Sequence, residues 1–234
     1  MRFRSLVALS AVAVLAIPTS ASAGAPVGEA TQTVSGTVRV PNPTKAAQNV
    51  SRHIRSAGLA GSSTNGVFGW FFKVDTSTIG GEFTLSSADA GADYDVIFYS
   101  DPGSLEVAPT AAAEFLGAVG SGERGVVPFG TSHVMVYPAA GANTTFNYVG
   151  HKPATVNIGK DSLNVTVVPG ATVTWVNQTA DYSFVRGGLE GFDSGSGVGR
   201  GMPIDSTFSY SFSDEGTFAY STSAGTGTVT VAAP

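Results

Sequence analysis

The 234-residue chain contains no cysteine, and only 12% of its residues are charged. The absence of cysteine excludes disulfide bonds, catalytic thiols and thiolate metal sites together. Histidine is also scarce, with three in the whole sequence. A fold of this chain therefore depends on its apolar core, which a secreted domain of this size can make large enough.

The charge that is present has a mild excess of one sign. The formal net charge is -5 at pH 7, whereas 42% of the residues are hydrophobic and 10% are aromatic. A mildly acidic, charge-poor surface argues against partners such as nucleic acid or anionic membranes. The low charge and the 30 glycines are typical of an extracellular β protein rich in tight turns.

The N-terminus has the organisation of a secretory signal peptide. Arg2 and Arg4 precede an apolar run, Leu6 to Ile17, which is shorter than the ~20 residues that a membrane span requires. Small residues at Ala21–Ala23 suit a cleavage site, so we predict a signal peptide at 1–23 and a secreted, extracellular protein. The alternative is an uncleaved membrane anchor. No membrane span is expected after cleavage.

Short strand patterns separated by Gly, Pro and Asp turns dominate the rest of the chain. They predict an all-β fold of two β-sandwich modules, the first a sandwich or jelly-roll at 34–150 and the second at 154–234. A flexible lead-in at 24–33 and a linker at Gly150–Pro153 flank the first module. The predicted strands are Val34–Val40, Val67–Val74, Glu82–Ser86, Tyr94–Tyr99, Phe115–Val119, Gly125–Phe129, Val134–Tyr137, Thr144–Val149, Ala154–Ile158, Leu163–Val168, Ala171–Asn177, Tyr182–Val185, Thr207–Phe212, Thr217–Ser221 and Thr228–Val231.

One segment has helical character. Within Thr44 to Leu59, Val50 and Ile54 are four residues apart and would share a helix face. A long loop fits this segment equally well.

Several pieces of the second module follow an order known from one protein family. In this order and spacing they resemble the cupredoxin (plastocyanin-like) family over Ala154 to Ala233. The resemblance implies a Greek-key sandwich and, in the family, a blue-copper ion. The pieces are Val165–Gly170, Val173–Asn177, Phe192–Gly195, Phe208–Phe212, Gly216–Tyr220 and Gly227–Val231.

The copper ligands that the resemblance implies are missing from this chain. A blue-copper site requires a thiolate, two imidazoles and usually a weak axial thioether. The family's first histidine position falls on Ser183, and its cysteine position falls on Thr222 or Ser221. The ligand loop, Ser221–Thr226, is too short and contains neither His nor Met. We therefore expect a degenerate module with no copper and no other cofactor.

Three pieces of the first module resemble a second type of domain. Val67–Val74, Phe83–Leu85 and Ala92–Phe98 are similar to the β-sandwiches of the pre-peptidase C-terminal type, which are appended to extracellular peptidases. Such domains accompany catalysts and are not themselves catalytic. The resemblance therefore implies an accessory role for the first module.

Two groups of side chains are candidate metal ligands. Asp93, Asp95 and Asp101 cluster with Asp89 around one predicted strand, and oxygen-rich loops can hold Ca²⁺. Their spacing does not match an EF-hand loop, so a solvated turn is the alternative.

The second group consists of His133 and Met135, which stand two apart and could form a soft metal-binding pair. Residues two apart in a strand share one face in any case, so simple packing is the alternative.

Exposed aromatic side chains are the candidate binding surface. Tyr182, Phe184, Phe192 and Tyr210 lie in and near the predicted loops of the second module. In the first module Trp70–Phe72 are consecutive, so at least one of them faces away from its own core. Such rings either fill an interface between the modules or contact a partner or glycan.

The sequence favours a secreted, non-enzymatic binding or structural protein whose partner is a protein or a cell-wall or glycan ligand. Two alternatives stay open. A copper-binding or electron-transfer protein would have to use His53, His133, His151 or the new N-terminus. A secreted enzyme would have a site between the modules that uses His133, although no Gly-x-Ser-x-Gly or His-Glu-x-x-His motif supports it.

Overall fold

The computed structural model of the protein shows an all-β architecture, as the sequence predicts. Within the described part of the chain there are fifteen strands and one short 3-10 helix, Thr76–Thr78. None of the described residues form a helix long and apolar enough to cross a membrane. The predicted signal peptide, the segment Thr44–Leu59 and His53 lie outside the described residues, which are 27–38, 69–89, 91–101, 110–115, 123–140, 144–188, 191–195 and 201–234.

The first module contains eight of the described strands in two antiparallel sheets. One sheet has the strand order β1-β8-β3-β6 and the other has the order β2-β7-β4-β5. Their bounds are β1 (Ala30–Val38), β2 (Trp70–Lys73), β3 (Glu82–Ser87), β4 (Asp93–Asp101), β5 (Thr110–Phe115), β6 (Glu123–Val126), β7 (His133–Ala140) and β8 (Thr144–His151).

The core of the first module lies between these two sheets. Alternate residues of β4 point inward, so that Val96 and Phe98 are fully buried. Phe83 of the facing sheet contacts Phe98 at 5.2 Å between ring centroids and stacks on Tyr148 at 5.8 Å. Side chains from both sheets thus interdigitate, and this packing makes the module a sandwich.

A second, smaller cluster lies on the opposite face of the β2-β7-β4-β5 sheet. Phe71 is buried there with Tyr99 and Met135, whereas its neighbours Trp70 and Phe72 pack against the main core. The prediction that one of the three consecutive aromatic residues faces away from the core is confirmed. Phe71 thus packs against Tyr99 and Met135 of its own module.

The second module contains seven of the described strands, and its chain alternates between two sheets. Their orders are β13-β11-β9 and β10-β15-β14-β12. The pairs β9–β11 and β10–β15 are parallel, so each needs a crossover through the other sheet rather than a hairpin. The bounds are β9 (Ala154–Ile158), β10 (Asn164–Val167), β11 (Thr172–Asn177), β12 (Arg186–Gly187), β13 (Thr207–Ser211), β14 (Gly216–Thr222) and β15 (Gly225–Val231).

This strand order is the Greek-key, cupredoxin-like sandwich that the sequence resemblance implies. Trp175 of β11 is fully buried at the centre of the core. Its ring centroid lies 5.3 Å from that of Tyr220, in the facing sheet, and 5.8 Å from that of Phe192. Valines from both sheets complete the core around these rings.

Several predicted boundaries are wrong. β1 begins at Ala30 because these residues pair with β8, so the predicted flexible lead-in at 24–33 overlaps a strand. β8 continues to His151, which leaves only Lys152 and Pro153 between β8 and β9.

The predicted strand Tyr182–Val185 is also wrong. β12 is instead formed by Arg186–Gly187, and Ser183 makes only an isolated bridge with Met202.

The two modules contact each other through β3 and β6. Glu82 is buried and accepts hydrogen bonds from Arg124 Nε at 3.0 Å and from the backbone N–H of Val168 at 3.0 Å. Thr172 N–H donates to the Gly80 carbonyl at 2.8 Å, and Val126 packs against the core of the second module. A buried ion pair of the first module therefore also binds the backbone of the second.

Candidate functional site

The candidate site is the loop end of the second module, which we define as residues 178–185, residues 201–206 and the turn between β14 and β15. Asn177, the last residue of β11, is fully buried at its base. Its amide nitrogen donates to the carbonyls of Asp181 and Met202, each at 2.8 Å. Its side-chain oxygen, Oδ1, accepts hydrogen bonds from the backbone N–H and the hydroxyl of Thr179, at 3.0 and 2.7 Å. Asn177 therefore ties two segments of the loop end together.

A hydrogen-bonded pair of hydroxyls, from buried Ser183 and exposed Ser223, lies directly beside this network. Ser183 exchanges two backbone hydrogen bonds with Met202, at 3.0 and 2.7 Å. The Ser183 side chain is buried, and its hydroxyl accepts a 2.7 Å hydrogen bond from the hydroxyl of Ser223. A buried polar side chain needs such a partner, and here the hydrogen bond joins two segments far apart in sequence.

The turn between β14 and β15 is as short as the sequence predicts. The strands pair up to Thr222 and Gly225, which leaves only Ser223 and Ala224 in the turn. The Thr222 hydroxyl accepts from Ala224 N–H at 3.1 Å and donates to the Gly225 carbonyl at 3.2 Å. Gly225 has a φ of 137°, a backbone conformation that glycine adopts readily.

The side chains at this end do not fit a blue-copper ion. Ser183 and Thr222, where the sequence resemblance implies copper ligands, are both buried, as is Met202. Their hydroxyls are already engaged within the protein, and the sequence contains no His after His151 and no Cys. Because a blue site requires a thiolate and imidazoles, this donor set cannot form one.

The other histidines of the described chain lie in the first module, on different sheets. His133 begins β7, and its Nδ1 lies 3.0 Å from the Ser132 hydroxyl. Burial, followed by the charge of Lys73, lowers the pKa of His133. His151 ends β8, and its Nδ1 lies 2.9 Å from the Gly28 carbonyl.

These histidines do not join other metal ligands. Met135, the predicted soft partner of His133, is buried beside Tyr99, whose hydroxyl points to its sulfur at 4.0 Å. Within residues 27–234, apart from the undescribed segments, no three His, Cys, Asp or Glu side chains converge to hold a metal.

The predicted calcium ligands do not form one site. Asp93 and Asp95 share a face of β4 and are both buried, but Asp101 stands eight residues beyond Asp93 on the same strand, about 26 Å away. Asp89 is exposed, and its carboxylate accepts from Gly91 N–H at 2.9 Å within a turn. The combination of Asp93, Asp95 and Asp101 is therefore wrong, because an extended strand keeps its two ends apart.

The predicted surface aromatics differ in exposure. Tyr182 is 63% exposed and Tyr210 is 37% exposed. Phe184 is half-buried beneath the guanidinium of Arg186, which lies 5.8 Å from its ring centroid.

The prediction for Phe192 as a surface residue is wrong. Phe192 is only 2% exposed and stacks on Trp175. It occupies space that Gly187 leaves open, since a Cβ on Gly187 would lie 2.3 Å from the Phe192 ring.

An exposed aliphatic residue that sequence reasoning missed lies at the same end. Ile204 is 53% exposed in a turn that Ser206 N–H closes on the Pro203 carbonyl at 3.1 Å. Met202, two residues earlier, is bound to Ser183, the neighbour of Tyr182. An apolar, β-branched residue within a Pro- and Asp-containing turn is the signal that could have identified it.

A shallow groove of about 270 Å³ adjoins the loop end. Residues 186–188 line one side, and residues 219–221 with Thr226 line the other. Register places Arg186 opposite Ser221 and places Ser221 opposite Thr226, so these side chains share the outer face of the sheet. The groove therefore opens to solvent directly beside the turn at Thr222.

Comparisons with known proteins give a limited result. No protein-family model and no curated protein sequence matches the chain. The solved structures that are similar to it include two cupredoxins. A novel purple cupredoxin from Nitrosopumilus maritimus is 23% identical, with a TM-score of 0.28, over 33% of this chain and 98% of that one. A methionine-to-alanine mutant of amicyanin with Cu(I) is 25% identical, with a TM-score of 0.26, over 33% of this chain and 79% of that one. With scores this low, the fold rests on the strand order itself.

Proposed function

We propose that this chain is a secreted, non-enzymatic binding protein whose ligand contacts the loop end of the second module. The observation that carries the proposal is the hydrogen bond between Ser183 and Ser223. The family resemblance implies metal-binding side chains at this end of the sandwich. In this chain two serine hydroxyls bind each other there instead. A protein with this loop end works through its surface rather than through a metal.

The outer side of the loop end supports binding. Tyr182 and Ile204 both leave more than half of their side chains exposed. Apolar groups that stay in contact with water gain free energy when a partner covers them, and tyrosine also offers a hydroxyl for hydrogen bonding. The Asn177 network holds both loops in place, so little conformational entropy is lost when the ligand binds.

The chemistry of the same end supports a non-enzymatic role. Hydroxyl nucleophiles need an adjacent base, and the partners of Ser183 among the described residues are another hydroxyl and backbone groups. The second module contains no histidine that could serve as that base. The predicted signal peptide is the reason for placing this activity outside the cell.

Retention assays on purified protein from residue 24 onward test the proposal. Insoluble cell-wall polysaccharide and immobilised co-secreted proteins serve as the two surfaces. We expect retention on one of them. A Tyr182→Ala, Ile204→Ser variant should lose at least about tenfold in affinity, or about 1.4 kcal/mol.

Phe129→Ala is the matched control, because Phe129 is 67% exposed but belongs to the first module. Retention on neither surface would contradict the proposal, as would an equal loss in the control. Stoichiometric copper with a reversible redox couple in the purified protein would favour an electron-transfer role instead.

A further inference from the structure

The groove beside the loop end combines an apolar floor with a polar rim. Gly188 and Ala219 contribute only backbone and a methyl group. Apart from the chain neighbours of Gly188, no heavy atom of the described residues lies within 4 Å of where a Cβ on Gly188 would stand. Arg186, Ser221 and Thr226 contribute a guanidinium and two hydroxyls around this floor. The small residues make room for a flat ligand, and the polar groups fix its orientation.

The polar rim is electrically balanced. The Arg186 guanidinium lies over the ring of Phe184, and its Nε is 3.7 Å from a carboxylate oxygen of Asp193. The guanidinium is thus held in place and has a negative group beside it. The guanidinium of Arg186 can donate to a ligand, and the carboxylate of Asp193 can accept from it. Neutral hydroxyl groups both donate and accept, so they match this pair better than an anion does.

A pyranose ring has the complementary chemistry, with an apolar C–H face and a rim of hydroxyl groups. The groove volume of about 270 Å³ lies just below the range of roughly 300–1,000 Å³ that is typical of small-molecule sites. The groove therefore fits one sugar residue of a longer chain rather than a whole oligosaccharide. Because it is open, the rest of such a chain can continue over the neighbouring sheet face.

We propose that this groove binds one residue of a neutral glycan, with the sugar's C–H face on Gly188 and Ala219 and its hydroxyls on Arg186, Ser221 and Thr226. The inference rests on the proposed binding function and names the ligand class at that end of the module. A protein partner is an outcome of the test and is not the proposal.

Titration of the isotope-labelled protein with cellotetraose and with chitotetraose, followed by amide NMR shifts, tests the groove. We expect one of these sugars to shift the amides of Gly187, Gly188 and Ser221, with a Kd on the order of 1 mM, as suits a small open site. An Ala219→Phe substitution fills the floor and should weaken binding by about tenfold or more.

Thr217→Phe is the matched control. Thr217 lies on the same strand and the same face as Ala219, two residues away, and it does not line the groove. Its affinity should stay within about twofold of the wild-type value. Amide shifts in both folded variants also verify that each substitution leaves the sandwich intact.

Each outcome decides the proposal. No shift with either sugar, shifts located only around Tyr182, or an unchanged affinity in Ala219→Phe would overturn it. Tighter binding of trigalacturonate than of both neutral sugars would overturn its neutral character. If the wild-type protein is retained on polysaccharide or protein and Ala219→Phe is retained equally well, the groove is not the binding site but the proposed function stands. If the wild-type protein is not retained at all, both the groove proposal and the proposed function are wrong.

Discussion

The two modules bury different kinds of polar side chain. Within the described residues, the first module buries four carboxylates, whereas the second buries only amide and hydroxyl groups at its polar positions. A buried carboxylate is far more costly than a buried hydroxyl unless it is paired. The residues are Glu82, Asp93, Asp95 and Glu123 in the first module, with Thr78 and Thr131, and Thr172, Asn177, Ser183 and Thr222 in the second.

The difference shows how each module uses its polar groups. Glu82 is compensated by Arg124 and binds the second module, so charge in the first module stabilises the contact between modules. The neutral groups of the second module connect its own loops instead. Removing the charge of Glu82 should therefore affect the junction, and removing the Asn177 amide or the Ser183 hydroxyl should affect the loop end.

The largest effect on stability should come from the apolar core of the second module. Phe192→Ala empties a position between Trp175 and Tyr210 and should lower the free energy of unfolding by about 4 kcal/mol. Urea unfolding followed by tryptophan fluorescence measures it. Tyr182→Ala, at an exposed ring, should change stability by less than about 0.5 kcal/mol. Equal losses would show that Phe192 is not in the core.

The next effect tests the charge at the junction. Glu82→Ala leaves Arg124 without its carboxylate and Val168 N–H without its acceptor, and should cost about 3 kcal/mol. Glu29→Ala is the control, because its ion pair with Lys152 is exposed and is worth at most about 1 kcal/mol.

The two tryptophans make this measurement informative, because Trp70 lies in the first module and Trp175 in the second. In Glu82→Ala, single-tryptophan versions should report separate unfolding midpoints. A single shared midpoint, with stability equal to that of the control, would contradict a role for Glu82 between the modules.

The sequence predicts much of the strand pattern but little of the contact between modules. β9 was predicted at both ends, because Val156 and Ile158 alternate between Pro153 and Gly159. β5 was not predicted, because Thr110–Phe115 contains three alanines, which are depleted in strands. The strand predicted at Phe115–Val119 lies, beyond Phe115, outside the described residues.

The sequence likewise indicated some features of the candidate site and missed others. The family resemblance placed Ser183 and Thr222 at one end of the module. It gave no indication of Ser223 as the partner of Ser183, 40 residues away. Glu82 and Arg124 are separated by 42 residues, and no local pattern links them. Phe192 was misjudged because the space it fills exists only once Gly187 is paired with Tyr220.

A smaller effect tests the amide network of the second module. Asn177→Ala removes four hydrogen bonds from a network around a fully buried side chain, so it should cost about 2 kcal/mol. Amide hydrogen exchange at Ser183 and Met202 should accelerate. Asn164→Ala, at an exposed asparagine that also accepts hydrogen bonds, should cost less than about 1 kcal/mol. Unchanged exchange in Asn177→Ala would show that the loops hold themselves in place.

The hydroxyl pair should have a still smaller effect. Ser183→Ala and Ser223→Ala should each cost about 1 kcal/mol, because each removes the same hydrogen bond. Their double variant should therefore cost clearly less than the sum of the two, as a double-mutant cycle in urea would show. Strict additivity would mean that the two hydroxyls do not interact.

The smallest effect concerns pH and belongs to the first module. Because burial lowers the pKa of His133, the unfolded chain binds more protons than the folded one between this lowered pKa and the ordinary value of about 6.5. Stability should therefore fall as the pH drops below about 6.5. His133→Gln should remove this component from urea midpoints measured between about pH 8 and pH 5. An identical pH profile in the variant would contradict the assignment.

The pairing of distant strands has a consequence for biosynthesis. β8 pairs with β1 and β3, and β15 lies between β10 and β14, where Thr228 contacts Asn164 across 64 residues. Neither sandwich can close before its final strand has been translated, and pairing over such distances is slow. A nascent chain that stops before Gly225 would leave β10 and β14 with open edges, which tend to pair with other chains. The edges of β10 and β14 are therefore protected from intermolecular pairing only after the ribosome has synthesised β15.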